Sequence, residues 1–291
     1  MKTIKLNLRF AVIALGAMAL ASASAATIAW TNTSGGNWSE AGNWEPNQVP
    51  GDGDTALITS NGTYTVTLDV GATIASLTLG GASGTQTLTT GGNNLTLTDA
   101  STVSTNGIFG LSGGTLSGSG LLTVRGLFNW TDGNIGNLAA VSIASNAVMN
   151  ISSGSAFKEI SGGLTNAGTI TWSSAEDVQV ANNGGLPYNG AIINLAGATF
   201  DIQNDQTLSG YAVGFFNNAG TVLKSAGTGT NNVGVIFNNT GTVDVQTGTL
   251  SLNGSGAGNG TFNAAASATI IVAAGYTFNS GAVITGAGTN R

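Results

Sequence analysis

The chain has no cysteine and no histidine, and only 7% of its 291 residues are charged. The lack of cysteine excludes disulfide bonds and thiol catalysis, and the lack of histidine excludes Ser-His-Asp triads and histidine-based metal sites. Charged residues form about 25% of an ordinary globular domain. Stability must therefore come from backbone pairing and packing.

Basic residues are also scarce. The chain has 7 Lys and Arg against 13 Asp and Glu. Three of the cations, Lys2, Lys5 and Arg9, lie at the N-terminus, and over positions 26–291 the net charge is −9, from 4 basic and 13 acidic side chains. Such a chain has little with which to hold phosphates, so we expect neither nucleic acid nor anionic lipid as a partner.

The N-terminal segment, positions 1–25, differs from the rest of the chain. A basic stretch, MKTIKLNLR, precedes the apolar core FAVIALGAMAL, and ASASA places Ala23 and Ala25 at the −3 and −1 positions of an Ala-x-Ala site. This order predicts a secretory signal peptide that is cleaved after Ala25. A membrane anchor would need about 20 apolar residues. We therefore predict a Sec-exported protein, secreted or at the cell surface, with no membrane span after cleavage.

One phrase returns along the chain. FNNAGTV at 216–222 recurs as FNNTGTV at 237–243, and LTNAGTI at 164–170 is a looser copy. A period of about 21 residues indicates a solenoid with one repeat per coil. The interval between Ile170 and Phe200 is longer and contains EDVQVANNGGLPYNG, which we interpret as a longer loop. The apolar positions that define the series are Phe128, Val148, Ile170, Phe200, Val222, Val243, Phe262 and Ile284.

Short alternating segments fill each repeat. YTVTL, TITW, TFDI, TVDV and TLSL are examples, each bounded by turn residues, and this pattern is typical of strands. A β-sandwich does not repeat one phrase at a fixed longer period, and the LxxLxL register of leucine-rich repeats is absent. We predict an all-β, right-handed, single-stranded parallel β-helix with about a dozen coils of about 21 residues.

The repeated phrase itself suggests three roles. Its apolar residue should point inward, so that Phe216 and Phe237 lie one above the other. Asn-Asn-x-Gly should turn the chain, because Asn and Gly tolerate left-handed backbone angles. Stacked Asn side chains should hydrogen-bond from coil to coil.

Residues 26–62 are predicted to form an N-terminal cap, and residues 63–291 the β-helix repeats. The cap segment holds Trp30, Trp38 and Trp44, three of the five tryptophans. A solenoid needs an atypical first unit that covers its apolar core and open strand edges. An aromatic sugar-binding platform is the alternative interpretation of these three rings.

Two carboxylates in the cap, Asp52 and Asp54 of PGDGD, have the spacing of calcium ligands. The further ligands of an EF-hand are missing, so we interpret Asp54 as a turn cap near the tryptophans. We predict no metal and no cofactor.

The segments WTNTSGGNWSEAGNW, VPGDGDTALI, TYTVTLD and SLTLGG, together with repeats such as GTLSGSGLLTV, TNAGTITW and NNTGTVDVQTGTLSLNGSG, resemble exported bacterial β-helix surface proteins of the autotransporter-passenger-like and filamentous-haemagglutinin-like groups. The resemblance covers nearly all of residues 26–291. It implies a structural or adhesion module without catalytic residues, whose partners are surface polysaccharide or other envelope proteins.

A carbohydrate-active β-helix protein, either a polysaccharide lyase or hydrolase or a sugar-binding module, is the alternative. Lyase chemistry on uronates needs a cationic groove, but only Arg125, Lys158 and Lys224 lie within the coils. Inverting hydrolysis needs two carboxylates about 6.5–9.5 Å apart. Asp201 and Asp205 would be about 13 Å apart on an extended strand. We therefore predict no catalytic residue.

The predicted binding patch is aromatic. Tyr188, Tyr211, Phe215 and Phe216 fall in and just after the long interval. Exposed rings could stack on sugars, whereas buried rings would belong to the core. Phe215 and Phe216 are adjacent, so in a strand one of them must point outward.

The final stretch, TFNSGAVITGAGTNR, keeps the repeat pattern, with Phe278, Val283 and Ile284 at core-like positions. An uncovered last coil invites edge-to-edge pairing. We expect either a longer solenoid or self-association through this coil.

Overall fold

The structure is a computed structural model that describes residues 25–137, 139–154, 156–185, 188–273 and 275–291. The predicted signal peptide, apart from Ala25, lies outside the described residues. Within these ranges the chain is all-β except for a short 3-10 helix at Ala41–Asn43. The described ranges contain no helix of the length and apolar character that a membrane span requires.

The strands are short and numerous. The first ten are β1 (Thr27–Trp30), β2 (Gly36–Asn37), β3 (Trp44–Glu45), β4 (Thr55–Ile58), β5 (Tyr64–Thr67), β6 (Ala72–Ile74), β7 (Ser76–Leu79), β8 (Gln86–Thr89), β9 (Leu95–Leu97) and β10 (Ser101–Val103). The next eleven are β11 (Gly107–Ser117), β12 (Leu121–Val124), β13 (Leu127–Ile135), β14 (Ala140–Ile143), β15 (Val148–Ile151), β16 (Lys158–Ile160), β17 (Gly163–Asn166), β18 (Thr169–Trp172), β19 (Val178–Gly185), β20 (Tyr188–Asn189) and β21 (Ala191–Asn194). The last fourteen are β22 (Thr199–Ile202), β23 (Leu208–Ala212), β24 (Phe215–Asn218), β25 (Thr221–Lys224), β26 (Thr230–Val233), β27 (Ile236–Asn239), β28 (Thr242–Val245), β29 (Thr249–Leu252), β30 (Gly256–Gly258), β31 (Thr261–Ala264), β32 (Thr269–Val272), β33 (Tyr276–Phe278), β34 (Val283–Thr285) and β35 (Thr289–Asn290).

Three columns of parallel strands form the faces of a solenoid. Face 1 contains β1, β4, β7, β10, β12, β14, β17, β21, β24, β27, β30 and β33. Face 2 runs from β2 and β5 through β8, the first half of β11 and of β13, β15, β18, β22, β25, β28 and β31 to β34. Face 3 contains β6, β9, the second half of β11 and of β13, β16, β19, β23, β26, β29, β32 and β35.

The predicted fold class is confirmed: the chain is a parallel β-solenoid of about 11 turns with about 21 residues per turn. Since neighbouring strands lie about 4.8 Å apart, this stack is about 53 Å long. The right-handed sense of the coil stays a prediction.

Alternation along each strand builds the core. In β18 and β28 the threonines and Asp244 point outward while the apolar partners are buried. The inner column of face 2 consists of residues in register across neighbouring coils, which are Phe128, Met149, Ile170, Phe200, Val222, Val243, Phe262 and Ile284. The predicted series is thus correct except for Val148, which pairs with Leu127. A one-residue slip exchanges the two faces of a strand, so Met149 takes the core position.

The phenylalanine of the repeated phrase is a core residue of face 1. Phe216 and Phe237 pair in register, and each is 1% exposed. Their ring centroids lie 5.4 Å apart at an interplanar angle of 80°, an edge-to-face contact. The predicted stacking of these two rings is confirmed.

The chain bends within the phrase, at 219–220 and at 240–241, but the asparagines do not form this turn as predicted. Asn217 and Asn218 lie within β24. Among the described residues other than glycine, only Asn146 and Ala212 have positive φ. The glycine of the phrase has a different role, because a Cβ on Gly241 would collide with the carbonyl oxygen of Gly220 in the preceding coil. Glycine is needed there for close approach of two backbones, not for a left-handed conformation.

The second asparagine of the phrase forms an internal ladder, as predicted. Asn166, Asn194, Asn218 and Asn239 are buried in one column of face 1. In each of the first three, Nδ2 donates to Oδ1 of the next asparagine at 2.8 Å. The same three amides also donate to threonine carbonyls of face 2 at 2.9–3.1 Å. Buried amides are therefore paired, and the ladder ties two faces together.

The long interval is mostly strand, so the predicted loop is wrong. β19 pairs with β16 and β23 in face 3, and it continues into an antiparallel hairpin with β20. The insertion therefore lengthens one strand of face 3 and adds a hairpin to it. Residues 186–187 of the hairpin lie outside the described part of the chain.

A tryptophan cluster lies at the start of the solenoid, as predicted. Trp30, Trp38 and Trp44 are at most 1% exposed. Trp44 contacts the other two rings edge-on, at centroid distances of 5.0 and 4.7 Å. Buried rings cannot stack on a sugar, so these three do not form a binding platform. β3 pairs antiparallel with β1 and covers its outer edge, while β1 and β4 already pair in parallel in face 1.

Asp54 lies beside this cluster and is 5% exposed. Its Oδ2 accepts a hydrogen bond from the backbone N–H of Gly51 at 2.9 Å, and its Oδ1 accepts one from that of Ala26 at 2.9 Å. The carboxylate therefore joins the 51–54 turn to the beginning of β1.

The last described coil exposes apolar side chains. Phe278, Val283 and Ile284 are 41%, 47% and 54% exposed, and Phe278 and Ile284 line an apolar opening together with Phe262 and Ile270. Self-association through this coil stays a prediction.

Replacing Phe216 by Asp is expected to reduce the free energy of unfolding by at least about 4 kcal/mol, because an unpaired charge would enter the core. Urea denaturation measures the change. The matched control is Phe215→Asp, since Phe215 points outward from the same strand and should cost far less. Equal losses for the two variants would contradict the assigned orientation of β24.

Replacing Asn218 by Leu keeps the approximate volume of the side chain but leaves an amide of Asn194 and a carbonyl of Asn239 without their ladder partner. We expect a loss of about 1–3 kcal/mol in the free energy of unfolding. Asn217→Leu is the control, because Asn217 points outward and accepts one hydrogen bond from Asn238. A stability of Asn218→Leu at or above that of the parent would show that the ladder contributes nothing to folding.

Candidate functional site

A shallow trough crosses face 3 and is the candidate site. Three depressions merge there: Thr115 and Asn134 line two of them, and Glu159 lines two. We call this surface the trough and define it by Thr115, Asp132, Asn134, Phe157, Glu159, Gln179 and Tyr211.

The strand register places these residues together. Thr115, Asn134, Glu159, Gln179 and Ser209 occupy one outward position on β11, β13, β16, β19 and β23. The Oδ1 of Asn134 accepts a hydrogen bond from the backbone N–H of Glu159 at 3.1 Å, which holds two neighbouring coils in line. Five strands about 4.8 Å apart give the trough a length of about 19 Å.

Two exposed aromatic rings lie in the trough, one beside its middle strand and one on its last strand. Phe157 precedes β16 and is 57% exposed, and Tyr211 lies on β23 and is 52% exposed. Tyr211 is two coils further along the stack and four positions further along the strand direction. Sheet dimensions place their Cα atoms about 16 Å apart.

The aromatic patch predicted from the sequence is divided by the structure. Tyr211 belongs to the trough, Phe215 is partly exposed on face 1, and Phe216 lies in the core. Tyr188 is part of β20, but its side chain lies outside the described part of the structure. Of the four residues, Tyr211 is the one that the structure places in the trough.

Phe157 was missed although its sequence carries a signal. In FKEI, Phe157 and Glu159 share one face of an extended segment and Lys158 and Ile160 share the other. Ile160 marks the inner face, so Phe157 should point outward. The obstacle is Lys158, since a buried lysine is rare without a partner.

Two of the three lysine and arginine residues within the coils are internal. Lys158 and Lys224 are fully buried. Lys158 pairs with Glu176 at 3.4 Å. Arg125 is exposed but lies in a different depression, together with Asn106 and Asn146. Among the described residues, no lysine or arginine lines the trough.

Lys224 holds one corner of the solenoid. Its ammonium donates to the carbonyls of Asn204 and Ala226 at 2.8 and 3.1 Å, to Oδ1 of Asp205 at 3.0 Å and to Oδ1 of Asn231 at 2.6 Å. The buried charge is thereby surrounded by acceptors, which compensates for its lost hydration. Lys224 is therefore a structural cation and is not available to a ligand.

Burial alone would raise the pKa of Asp205. Hydrogen bonds from Lys224 and from the backbone N–H groups of Gly229 and Thr228, together with the positive charge of Lys224, lower the pKa below 3.8. The carboxylate is thus ionised at neutral pH and serves the corner of the coil. Asp201, the other candidate of the sequence pair, accepts hydrogen bonds from Gln203 and Ser225.

Two carboxylates face the trough. Asp132 and Glu159 line adjoining depressions that share Asn134. Asp132 lies two positions before Asn134, which is beside Glu159 of the next coil. Within the described ranges, no group of three or more Asp or Glu residues has the arrangement of a metal site.

No protein-family model matches this chain, and comparisons with curated proteins and with solved structures found no match. The resemblance to exported β-helix surface proteins therefore rests on the repeat pattern and stays a prediction. The assignment of the fold rests on the strand pairing in the structure.

Replacing Asp205 by Asn should lower stability at pH 7, because the buried ammonium of Lys224 loses its carboxylate. The pKa of Asp205 is lower in the folded state, so its contribution is present above the ordinary value of 3.8 and is lost as the pH falls through the folded value. The difference in free energy of unfolding between parent and variant should shrink over that range.

Chemical denaturation at pH 7 and at several lower pH values measures this difference. Asp244→Asn is the control, because Asp244 accepts from Gln246 and Asn263 and takes part in neither ion pair among the described residues. A difference that stays constant well below pH 3.8 would contradict the assigned pairing of Asp205 with Lys224.

Proposed function

We propose that this protein is a non-catalytic structural or adhesion module that is exported by the Sec route and works in the secreted form or at the bacterial cell surface. The trough on face 3 is the observation that supports this proposal. It is a long, shallow surface that presents aromatic and amide groups on regular strands, and it suits contact with an extended partner such as surface polysaccharide or an envelope protein.

Rigidity favours such a role. β16 and β19 have a hydrogen-bonded neighbour on each side, so the side chains of the trough are held at fixed spacings. A surface that is ordered before binding loses little conformational entropy when a partner docks. Fixed spacing also selects partners whose groups repeat at matching distances.

A carbohydrate-active protein is the second candidate, and Asp132 and Glu159 are the observation in its favour. Inverting hydrolysis uses two carboxyl groups that flank the scissile bond, and these two line adjoining depressions of the trough. A catalytic acid, however, needs a protonated carboxyl at neutral pH, which proteins obtain by burial. Both side chains remain partly exposed in an open trough, so binding is the favoured activity.

Fractionation of the native cells tests the proposal. The protein should be found in the medium or on the cell surface, and mass spectrometry of that fraction should give an N-terminus at Ala26. The Ala25→Leu variant blocks the cleavage site and should accumulate as a longer chain. Recovery of the parent protein in the cytoplasm with Met1 retained would overturn the proposed export.

A reducing-end assay separates binding from catalysis. The purified protein is incubated with neutral and acidic polysaccharides, and no new reducing ends are expected. Release of reducing ends that disappears in the Glu159→Gln variant would establish the hydrolase instead.

A further inference from the structure

We propose that the trough binds an uncharged glycan chain of several sugar units, which lies obliquely across β16, β19 and β23 and stacks on Phe157 and Tyr211. This inference rests on the proposed adhesion function and names its ligand. It follows from the charge, the spacing and the polar groups of the trough.

The charge of the trough disfavours anionic ligands. The trough presents the carboxylates of Asp132 and Glu159. The two lysines within the coils, Lys158 and Lys224, are buried and paired with carboxylates. An anionic chain would approach two carboxylates in a trough that no described cation lines, so polyuronates, sulfated glycans and nucleic acid are disfavoured. An uncharged chain meets no such repulsion.

Spacing indicates a chain rather than a single sugar. An aromatic ring offers an apolar face to one sugar ring, and Phe157 and Tyr211 are about 16 Å apart. One sugar cannot contact both. A chain that crosses β16, β19 and β23 obliquely engages both rings, and the second contact is then intramolecular, which raises the affinity.

Polar groups between the rings match a polyhydroxylated ligand. Between the rings, Gln179 supplies an amide and Glu159 supplies a carboxylate acceptor, while Thr115 and Asn134 continue the same outward row beyond Phe157 with a hydroxyl and an amide. Sugar hydroxyls both donate and accept, so a mixed row of this kind pairs with several of them.

A peptide strand is disfavoured by topology. A peptide that docks by strand addition needs an open strand edge. β16 and β19 already have neighbours on both sides, so only the sheet face is accessible at these two strands; β23 pairs with β26 at Leu208 alone, and its residues 209–212 pair only with β19. A basic peptide held by Asp132 and Glu159 is the outcome that competes in the test.

Isothermal titration calorimetry on the protein from Ala26 to Arg291 tests the proposal with cello-oligosaccharides of two to eight sugars, a neutral soluble β-glucan, a neutral α-glucan, polygalacturonate and an oligolysine peptide. We expect binding to at least one neutral glucan. The longest oligosaccharide of the glucan that binds should bind at least about tenfold more tightly than its dimer, because the dimer is too short to reach both rings.

Phe157→Ala and Tyr211→Ala should each weaken binding of the long glycan about tenfold, as expected for an exposed aromatic contact. Binding of the dimer should fall with one of the two variants at most. Leu121→Ala is the control, because Leu121 is 44% exposed and belongs to face 1. Thermal unfolding of all three variants confirms that they fold.

Four results would overturn the inference: no binding to either neutral glucan, tighter binding of polygalacturonate, binding of oligolysine alone, or full affinity in both aromatic variants. Each of these results contradicts the glycan proposal but not the proposed function, provided that fractionation finds the processed protein outside the cytoplasm. A cytoplasmic, unprocessed protein that still binds glucan through the trough would instead defeat the proposed function and keep the ligand.

Discussion

Backbone hydrogen bonding between successive coils is the interaction on which the rest of the structure depends. Each coil obtains most of its partners from the coils before and after it, and no disulfide reinforces them, since the chain has no cysteine. Parallel pairing in register also stacks like on like, so Phe216 meets Phe237 and Asn218 meets Asn239. A repeated phrase in the sequence is therefore a consequence of repeated environment.

The inward-facing residues could be predicted from the sequence because each must pack against the equivalent residue of the neighbouring coil. The period, the strands and the stacking of Phe216 on Phe237 follow from this constraint. Val148 was assigned to the core column because Val148 and Met149 are adjacent and both apolar, so the sequence does not show which of them points inward. The strand register places Met149 there. The asparagines were assigned to a turn because local propensity ignores the ladder, which satisfies their amides inside the coil.

The trough could not be predicted, because it belongs to no single repeat. Its residues come from five coils between Thr115 and Tyr211, and insertions such as the β19–β20 hairpin change the spacing from one coil to the next. The sequence placed Lys158 and Lys224 within the coils, but their burial follows only from the structure. The outer positions of the trough differ from coil to coil, since water accepts many side chains there.

The burial of these two lysines has a consequence for how such rods behave in solution. With most acidic groups outside and two of the cations enclosed, the long sides of neighbouring molecules carry charge of the same sign. Side-by-side bundling is then opposed at low ionic strength and becomes easier once salt shortens the range of repulsion to about 8 Å. The colloidal state of the protein is thus set by ions in its surroundings, while the fold, held by uncharged backbone groups, is not.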